Sequence, residues 1–453
     1  MRRPKAFVIL FKDLHIWSVG SFFKLNWQWP AEYIKPLSAA LKRKFDEVKK
    51  EDYLLGKAKL VTLHFDGTMV PRATNGKNDF KGKLYLAETN DVVYSKIDVR
   101  NGAIGIVPEE MGNVAVSSEF PVYAVNKKGA LPQYIKLLFR THYFRQAINS
   151  MISGASGRKR VQPSQIEGIE IPLPPLPIQQ VIIDRSTRAQ EEIESRKCRT
   201  NDIQKSLEEN LLNKIGIELP PITQRKGAFS LEWKDYERWD TFFYRKDFIQ
   251  LEKQLLSMKH APLGKILNFI SRPWKSSDFS EGVFEYVEIS SVNKEKGIFG
   301  SKTVSINNAP SRATTLIKEG DLLISTTRPY LGAFAIVPDK YDNCVCSSGF
   351  ALADKINIPQ INKEFLLFFL QSPAGLRQME RRMTGGLYPA IIQAELEKIL
   401  VPIPSLEIQK DIMRQVKDGQ NKIAQEREAA EQKSREIKAE IEALILGTKR
   451  VDI

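Results

Sequence analysis

Short runs rich in β-branched and apolar residues occur in two sets along this chain, in the same order each time. Leu60–Phe65, Val92–Ile97 and Ala103–Pro108 form the first set; Phe284–Ser290, Leu322–Thr326 and Phe334–Pro338 form the second. Gly, Pro and Asn punctuate the runs, which predicts strands of a mixed or antiparallel sheet joined by long loops. After each set the period becomes helical, over Tyr134–Ile148 and Phe365–Met379. A Gly-rich loop follows, Ser153–Arg160 or Thr384–Pro389, and then a short strand ending in Pro-x-Pro at Pro172–Pro174 or Pro402–Pro404. Each series closes on a long charged helix, Ile178–Lys214 or Ile408–Leu446, with Gly216 or Gly447 as its stop. Near the start, the apolar run Ala6–Phe11 is cut by Lys12 and Asp13 with no small-residue cleavage site, and reads as a strand rather than a signal peptide.

The two series are copies at a shift of 230 residues. Asp91–Ser95 falls on Asp321–Ser325, Gly102-Ala103 on Gly332-Ala333, and Ile106–Pro108 on Ile336–Pro338. Ser117-Ser118 falls on Ser347-Ser348, Phe120 on Phe350, Ile171–Pro174 on Val401–Pro404, and Gln179 on Gln409. Arg145-Gln146 meets Arg377-Gln378 only with a slip of two, as a loop allows. A repeat this long is a duplicated domain rather than a solenoid unit. In the second helix Ile412, Val416, Gly419, Ile423, Glu426, Ala430, Lys433, Ile437, Glu440 and Leu444 follow steps of four and three. Ile182, Ala189, Ile193, Leu207 and Lys214 fall on the same ladder after subtracting 230, with Leu211 beside it. Two stripes in one register predict that the helices pair with each other.

Charge sharpens this picture. The net +14 is distributed as +11 over residues 1–175, zero over 176–217, +3 over 218–405 and zero over 406–453. The excess thus lies on the sheet-forming segments, which points to a polyanion partner. Three cysteines and four scattered histidines make neither a disulfide framework nor a zinc site, which suits a reducing cytoplasm. No apolar run approaches the ~20 residues of a membrane span.

Motifs for chemistry are missing. There is no GxxxxGK[ST] phosphate loop, no Gly-x-Gly-x-x-Gly and no Asn/Asp-Pro-Pro-aromatic tetrapeptide. Pro338-Asp339 lacks a strand-borne (Asp/Glu)-x-Lys partner and matches Pro108-Glu109, a strand-end turn; Glu109-Glu110 reads as surface. Cys344-Val-Cys346 matches the apolar Val114-Ala-Val116, so its thiols are expected in a core. The residues support binding, not catalysis.

The chain resembles the specificity subunit of type I restriction–modification systems over nearly its whole length. The resemblance rests on the tandem arrangement, on Gly320–Ser325 with Arg328, Gly332 and Ile336–Pro338, and on Ser347–Phe350. It rests too on Leu396–Pro404 leading into Glu407–Ile412, with its mate Ile166–Pro177 leading into Gln179. The first copy departs from the pattern in the stretch Trp17–Trp29 and in lacking a Gly-Asp before Val92-Val93. The resemblance implies an α+β chain: two tandem mixed α/β target-recognition domains, 1–175 and 218–405, separated and joined by two long helices, 176–217 and 406–453, paired as an antiparallel coiled coil. It implies no cofactor on this chain, with S-adenosylmethionine on two adenine-methyltransferase subunits. Its other implied partners are double-stranded DNA and a restriction/motor subunit. The alternatives are a structural adaptor with no sequence-selective binding, and an orphan subunit serving methylation only.

Base readout needs Arg, Lys, Asn and Gln on loops, with further cations on phosphates. Candidates in the first domain are Arg72, Asn75, Lys77, Asn78, Lys81 and Lys83, and the run Arg158, Lys159 and Arg160. In the second they are Arg272, Lys275, Asn293, Lys294, Lys302 and Arg328, with Tyr388 beside a base or sugar.

A helix of about 35 residues is roughly 52 Å long, or about 15 base pairs of duplex. The paired helices are therefore expected to set the distance between two half-sites. Inserting one heptad in each, within Ala189–Leu207 and Gly419–Ile437, keeps both seams facing and adds roughly 10.5 Å. The half-sites should stay the same while the unread spacer grows by about two to four base pairs. Methylome sequencing of cells carrying the lengthened chain with a methyltransferase partner reads this directly; an unchanged spacer would mean the helices are no ruler.

Overall fold

The computed structural model describes residues 28–49, 58–72, 82–150, 160–222, 233 and 236–451. The described residues pack as two compact units, one running up to Lys197 and resuming at Glu428, the other spanning Cys198–Arg427. The division crosses both long helices, Leu176–Ile215 and Leu406–Leu446, so each unit holds a part of each. The expected strand Ala6–Phe11 and most of Trp17–Trp29 lie outside the described residues.

The first unit contains β1 (Ile34–Pro36), β2 (Leu41–Lys44), β3 (Lys59–Leu63), β4 (Met69–Pro71), β5 (Leu84–Ala87), β6 (Val92–Tyr94), β7 (Ile104–Ile106), β8 (Val114–Ser117), β9 (Val122–Val125) and β10 (Glu170–Pro172). One sheet has the order β2-β9-β6-β7, all antiparallel; a second has β4-β3-β8-β5, with β3 and β8 parallel. β1 pairs with β10. The strand carrying Val92–Tyr94 is buried on both faces: Val92 and Tyr94 enter one cluster with Ile104, Tyr134, Leu138 and Phe144, and Val93 enters another with Met69, Val114 and Val116. That is why this run is continuously apolar rather than alternating.

The second unit repeats the plan with β11 (His260–Pro262), β12 (Leu267–Ile270), β13 (Val283–Val287), β14 (Val292–Asn293), β15 (Gly297–Ile298), β16 (Lys302–Ser305), β17 (Ala313–Leu316), β18 (Leu322–Ser325), β19 (Phe334–Ile336), β20 (Val345–Ser347), β21 (Phe350–Ile356) and β22 (Leu400–Pro402). The orders β12-β21-β18-β19 and β16-β13-β20-β17, and the pair β11-β22, reproduce those of the first unit strand for strand. The duplication read from the residues is a duplication of topology. Cys344 and Cys346 are buried among Val287, Leu323 and Val337. Burial pushes their thiols up to about 11 and about 12, as inert core groups require.

Two details differ from the sequence expectation. Each predicted helical stretch is two helices, Pro132–Leu138 and His142–Ser150 in one unit, Lys363–Leu370 and Pro373–Arg382 in the other. In the first, the Thr141 hydroxyl donates to Leu138 O and accepts from Phe144 N, ending one helix and starting the next. In the second, Ser372 caps Gly375 N and Pro373 follows at the first helical position, lacking the N–H an unbroken helix needs. Apolar periodicity runs through such breaks because both helices face the same core.

The long helices run antiparallel. In the first unit Arg185 pairs with Glu440 at 2.7 Å and Lys433 with Glu192 at 2.8 Å, while Ile182 and Ile183 pack with Ile441, Leu444 and Ile445. In the second, Arg199 pairs with Glu426 at 3.3 Å, Lys214 with Asp411, and Leu211 packs with Ile412 and Val416. Gly419 leaves the hole that Leu207 fills; a Cβ there would lie 2.6 Å from the leucine methyl. The polar members of the ladder, Glu426, Lys433 and Glu440, are therefore seam residues with a partner across it. Gly216 and Gly447, at φ +76° and +74°, end the two helices in the left-handed conformation. The second helix is stitched into the first unit at its end, by Gln28 N to Leu446 O and by the Trp29 indole N–H to Ile445 O at 2.8 Å.

One buried side chain joins each helix to its domain. Gln179 Oε1 accepts from Leu131 N at 2.9 Å, and its Nε2 donates to Gly129 O and Pro174 O at 2.9 and 2.7 Å. Gln409 makes the same three bonds to Asn362 N, Gln360 O and Pro404 O. Both are completely buried. Gln409→Ala would leave one N–H and two carbonyls unpaired away from water. We expect a loss of about 3 kcal/mol in urea unfolding, and at least as much for Gln409→Glu at neutral pH, where a carboxylate oxygen would face the carbonyls. A loss below about 1 kcal/mol for the alanine would show that the clip is dispensable.

Candidate nucleic-acid interface

The site is built from the central strand of each antiparallel sheet. In the second unit the residue entering it, Gly320, has φ +81°; its counterpart in the first is Asn90, at φ +71°. Asparagine tolerates this conformation better than other residues with a Cβ. Asn90-Asp91 is thus the Gly-Asp that the first copy seemed to lack, and the signal was an Asn in a glycine's place. The aspartate that follows is buried in both units. Asp91 accepts from Glu88 N and from the Lys44 ammonium, each at 2.9 Å. Asp321 accepts from Lys318 N at 2.8 Å and from the Arg272 guanidinium at 2.5 and 3.4 Å. Burial works against the Lys44 charge, but hydrogen bonds and attraction from Glu88 and Asp91 outweigh it and raise its pKa above the usual lysine value.

At the far end of that strand three loops meet. Lys96 N donates to Glu119 O and Val161 N to Lys96 O, at 3.0 and 2.8 Å; Thr326 N donates to Gly349 O and Ile391 N to Thr326 O, at 2.8 and 2.9 Å. The turn after the strand, the Ser-Ser turn and the end of the Gly-rich loop are thereby tied together identically in both units. Val161 and Ile391 are buried anchors, and Arg160 and Tyr388 close before them are exposed.

In the second unit this trio brings together two of the predicted residues. Arg328 is exposed and its guanidinium lies 5.4 Å from the ring centre of Tyr388, itself 73% exposed. Leu331 and Leu387 are exposed beside them in sequence. Arg312, which sequence reasoning missed, is exposed on a loop whose carbonyl accepts from Ser348 N. In the first unit Arg160 is exposed in the matching loop and pairs with Glu119 at 3.2 Å, while Lys96 donates to Ser118 O. Arg158 and Lys159 lie outside the described residues, as do Asn75, Lys77, Asn78 and Lys81. Arg72 is exposed at the end of β4, and Lys83 is exposed and paired with Glu47 at 3.0 Å.

Other predicted residues have structural partners. Arg272 is taken up by Asp321 and the Leu316 carbonyl. The Asn293 side chain closes the β14–β15 turn by accepting from Glu295 N and Lys296 N. Lys294 pairs with Glu208 at 2.5 Å on one long helix, while Glu295 of the same turn pairs with Arg427 on the other at 2.7 Å. That hairpin is a brace on the helix pair. Lys302 pairs with Glu288 at 2.7 Å, and Lys275 is exposed.

A four-stranded antiparallel sheet, a mixed sheet and a loop trio, built twice and each joined to an antiparallel helix pair, define a duplicated recognition module. The sequence model of the type I restriction modification DNA specificity domain matches this chain twice, at residues 48–205 and 258–433. The chain belongs to that family, and recognition of DNA sequence is the role that membership brings. It is 25% identical over 377 residues to a Methanocaldococcus jannaschii protein named for the specificity subunit of the type I restriction enzyme MjaX, covering 81% of this chain and 80% of the relative. It is 27% identical over 156 residues to the HindI specificity subunit of Haemophilus influenzae, 34% of this chain and 33% of that one. A solved chain from a study of complex assembly and conformational transition in a type I R-M system shares the fold with a TM-score of 0.53 and 16% identity, over 93% of this chain and 98% of that one. Among the described residues no helix is long and apolar enough to cross a membrane, and no group of His, Cys, Asp and Glu is placed to hold a metal ion.

The Arg272–Asp321 pair gives a test of this sorting. Asp321 is nearly inaccessible, so Arg272→Ala strands a buried carboxylate and should cost about 3 kcal/mol in urea unfolding. The bases preferred by the folded variant should not change. A shift in preference with unaltered stability would place Arg272 in the interface.

Proposed function

We propose that this chain reads a bipartite DNA site, one half through each domain, and directs an adenine methyltransferase to it while catalysing nothing itself. The observation that carries this reading is the loop trio, built twice on one frame with different side chains at its tips: Lys96, Asp98 and Arg160 in one unit, Thr326, Arg328 and Tyr388 in the other. A duplicated catalytic centre would keep its reacting groups in both copies. A duplicated reader keeps its frame and changes its tips, because each half-site displays its own pattern of donors and acceptors. The run Arg158–Arg160 and the +11 excess of residues 1–175 suit contact with phosphates, which positions a reader without specifying sequence.

The partners in this reading are duplex DNA, two methyltransferase subunits that bind S-adenosylmethionine, and a restriction/motor subunit, all in the cytoplasm. The purified chain, given DNA and labelled S-adenosylmethionine, should transfer no methyl group and make no cut. Adding methyltransferase subunits should yield methylated adenines within one two-part sequence. Methyl transfer by the chain alone, or methylation scattered without a consensus, would overturn the reading.

A further inference from the structure

The turn that follows the central strand has opposite charges at one position in the two units. Asp98 precedes the 3-10 turn Val99–Asn101, and Arg328 precedes Pro329–Leu331. Asp98 has an ordinary backbone, φ −107°, whereas Arg328 is left-handed at φ 48°, ψ 53°. That conformation is strained for an L-residue with a Cβ, and the following proline disfavours helical backbone before it. Surrounding bonds hold it nonetheless: Arg328 N donates to Pro389 O at 2.8 Å, Leu331 N to Arg328 O at 3.0 Å, and Thr327 bridges to Ala390. Strain kept by this many contacts beneath an exposed cation marks a residue whose direction matters. Among the described residues no carboxylate pairs with Arg328, and its guanidinium lies over the Tyr388 ring.

We propose that Arg328 reads a guanine in the half-site of the second domain, with Tyr388 holding the plane of its guanidinium. The proposal rests on the DNA-reading role above and assigns it a base. The arginine fork matches guanine O6 and N7 in the major groove, and an aromatic ring beneath it reduces the rotamer freedom lost on binding. A phosphate contact needs only charge, and a duplicated one would be basic in both units. Asp98 would repel a phosphate at the matching place, yet its carboxylate could accept from a cytosine amino group.

The test is selection of duplexes from a randomised pool by the full chain assembled with methyltransferase subunits. The wild type should select a two-part sequence with a guanine in one half. Arg328→Ala should lose preference at that guanine by about ten- to a hundredfold and keep the rest of the consensus. Tyr388→Ala, a change at an exposed side chain that leaves the fold intact, should weaken the same position by a smaller factor. A full consensus with uniformly weaker binding by Arg328→Ala would make the residue a phosphate contact and overturn the proposal. Loss at a base unaffected by Tyr388→Ala would overturn the pairing of the two. No consensus from the wild type would overturn the DNA-reading role itself.

Discussion

Each domain depends on how a long charged helix can enter it without exposing or stranding backbone groups, and a buried glutamine answers that. Gln179 and Gln409 each satisfy an N–H at the start of the neighbouring helical segment and two carbonyls, one of them in the Pro-x-Pro turn leading into the long helix. A neutral amide is the side chain that offers both a donor pair and an acceptor at one end. With those groups paired, the first turns of each helix can be buried, Ile182 in a cluster with Tyr134 and Leu444, and Ile412 in one with Leu211 and Phe365. The rest of the helix is free to carry charge, because its stripe is covered by the opposite helix.

Around this shared frame the two copies have diverged where the frame tolerates it. Arg140 donates to Gly102 O and Ile104 O, and Gln371, at the matching place, donates to Gly332 O and Phe334 O. Different side chains serve the same pair of carbonyls. The Asp91 pocket uses Lys44 and the Asp321 pocket uses Arg272. A buried carboxylate needs a cation but not a particular one. The loop tips show a freer divergence: Asp98 is half-buried, whereas Arg328 and Tyr388 are exposed. Conserved frame and variable tip separate what folds the domain from what it recognises.

The second domain also carries a set of ion pairs that bind its leading segment to Pro373–Arg382. Arg381 and Arg382, both buried, pair with Glu252, and Arg382 also with Glu237 and Glu395. The Phe243 ring lies against Arg238, Arg381 and Arg382 at 4.4, 4.1 and 5.6 Å. Such a network is costly to desolvate and weak evidence of stability by itself. Its geometry fixes the helix that packs under the Pro329–Leu331 turn, where a Cβ added at Gly332 would lie 3.6 Å from a Leu376 methyl.

The duplication, the order of elements, the helix stops at Gly216 and Gly447, and the pairing of the two helical stripes were legible in the sequence, because each follows from local propensity or from a repeat visible by spacing alone. The buried thiols were legible by comparison of the two copies. What only the tertiary structure decided was which charges have partners within the fold. Arg272, Lys294 and Lys302 look like Arg328 in a sequence, yet their partners Asp321, Glu208 and Glu288 lie 14 to 86 residues away. The breaks at Thr141 and Pro373 and the left-handed Asn90 were likewise hidden, since hydrophobic periodicity records which face is buried and not how the backbone turns. An ion pair or a strained turn is fixed by what the fold brings opposite it. A residue's own neighbours in the chain do not carry that information, and the fold does.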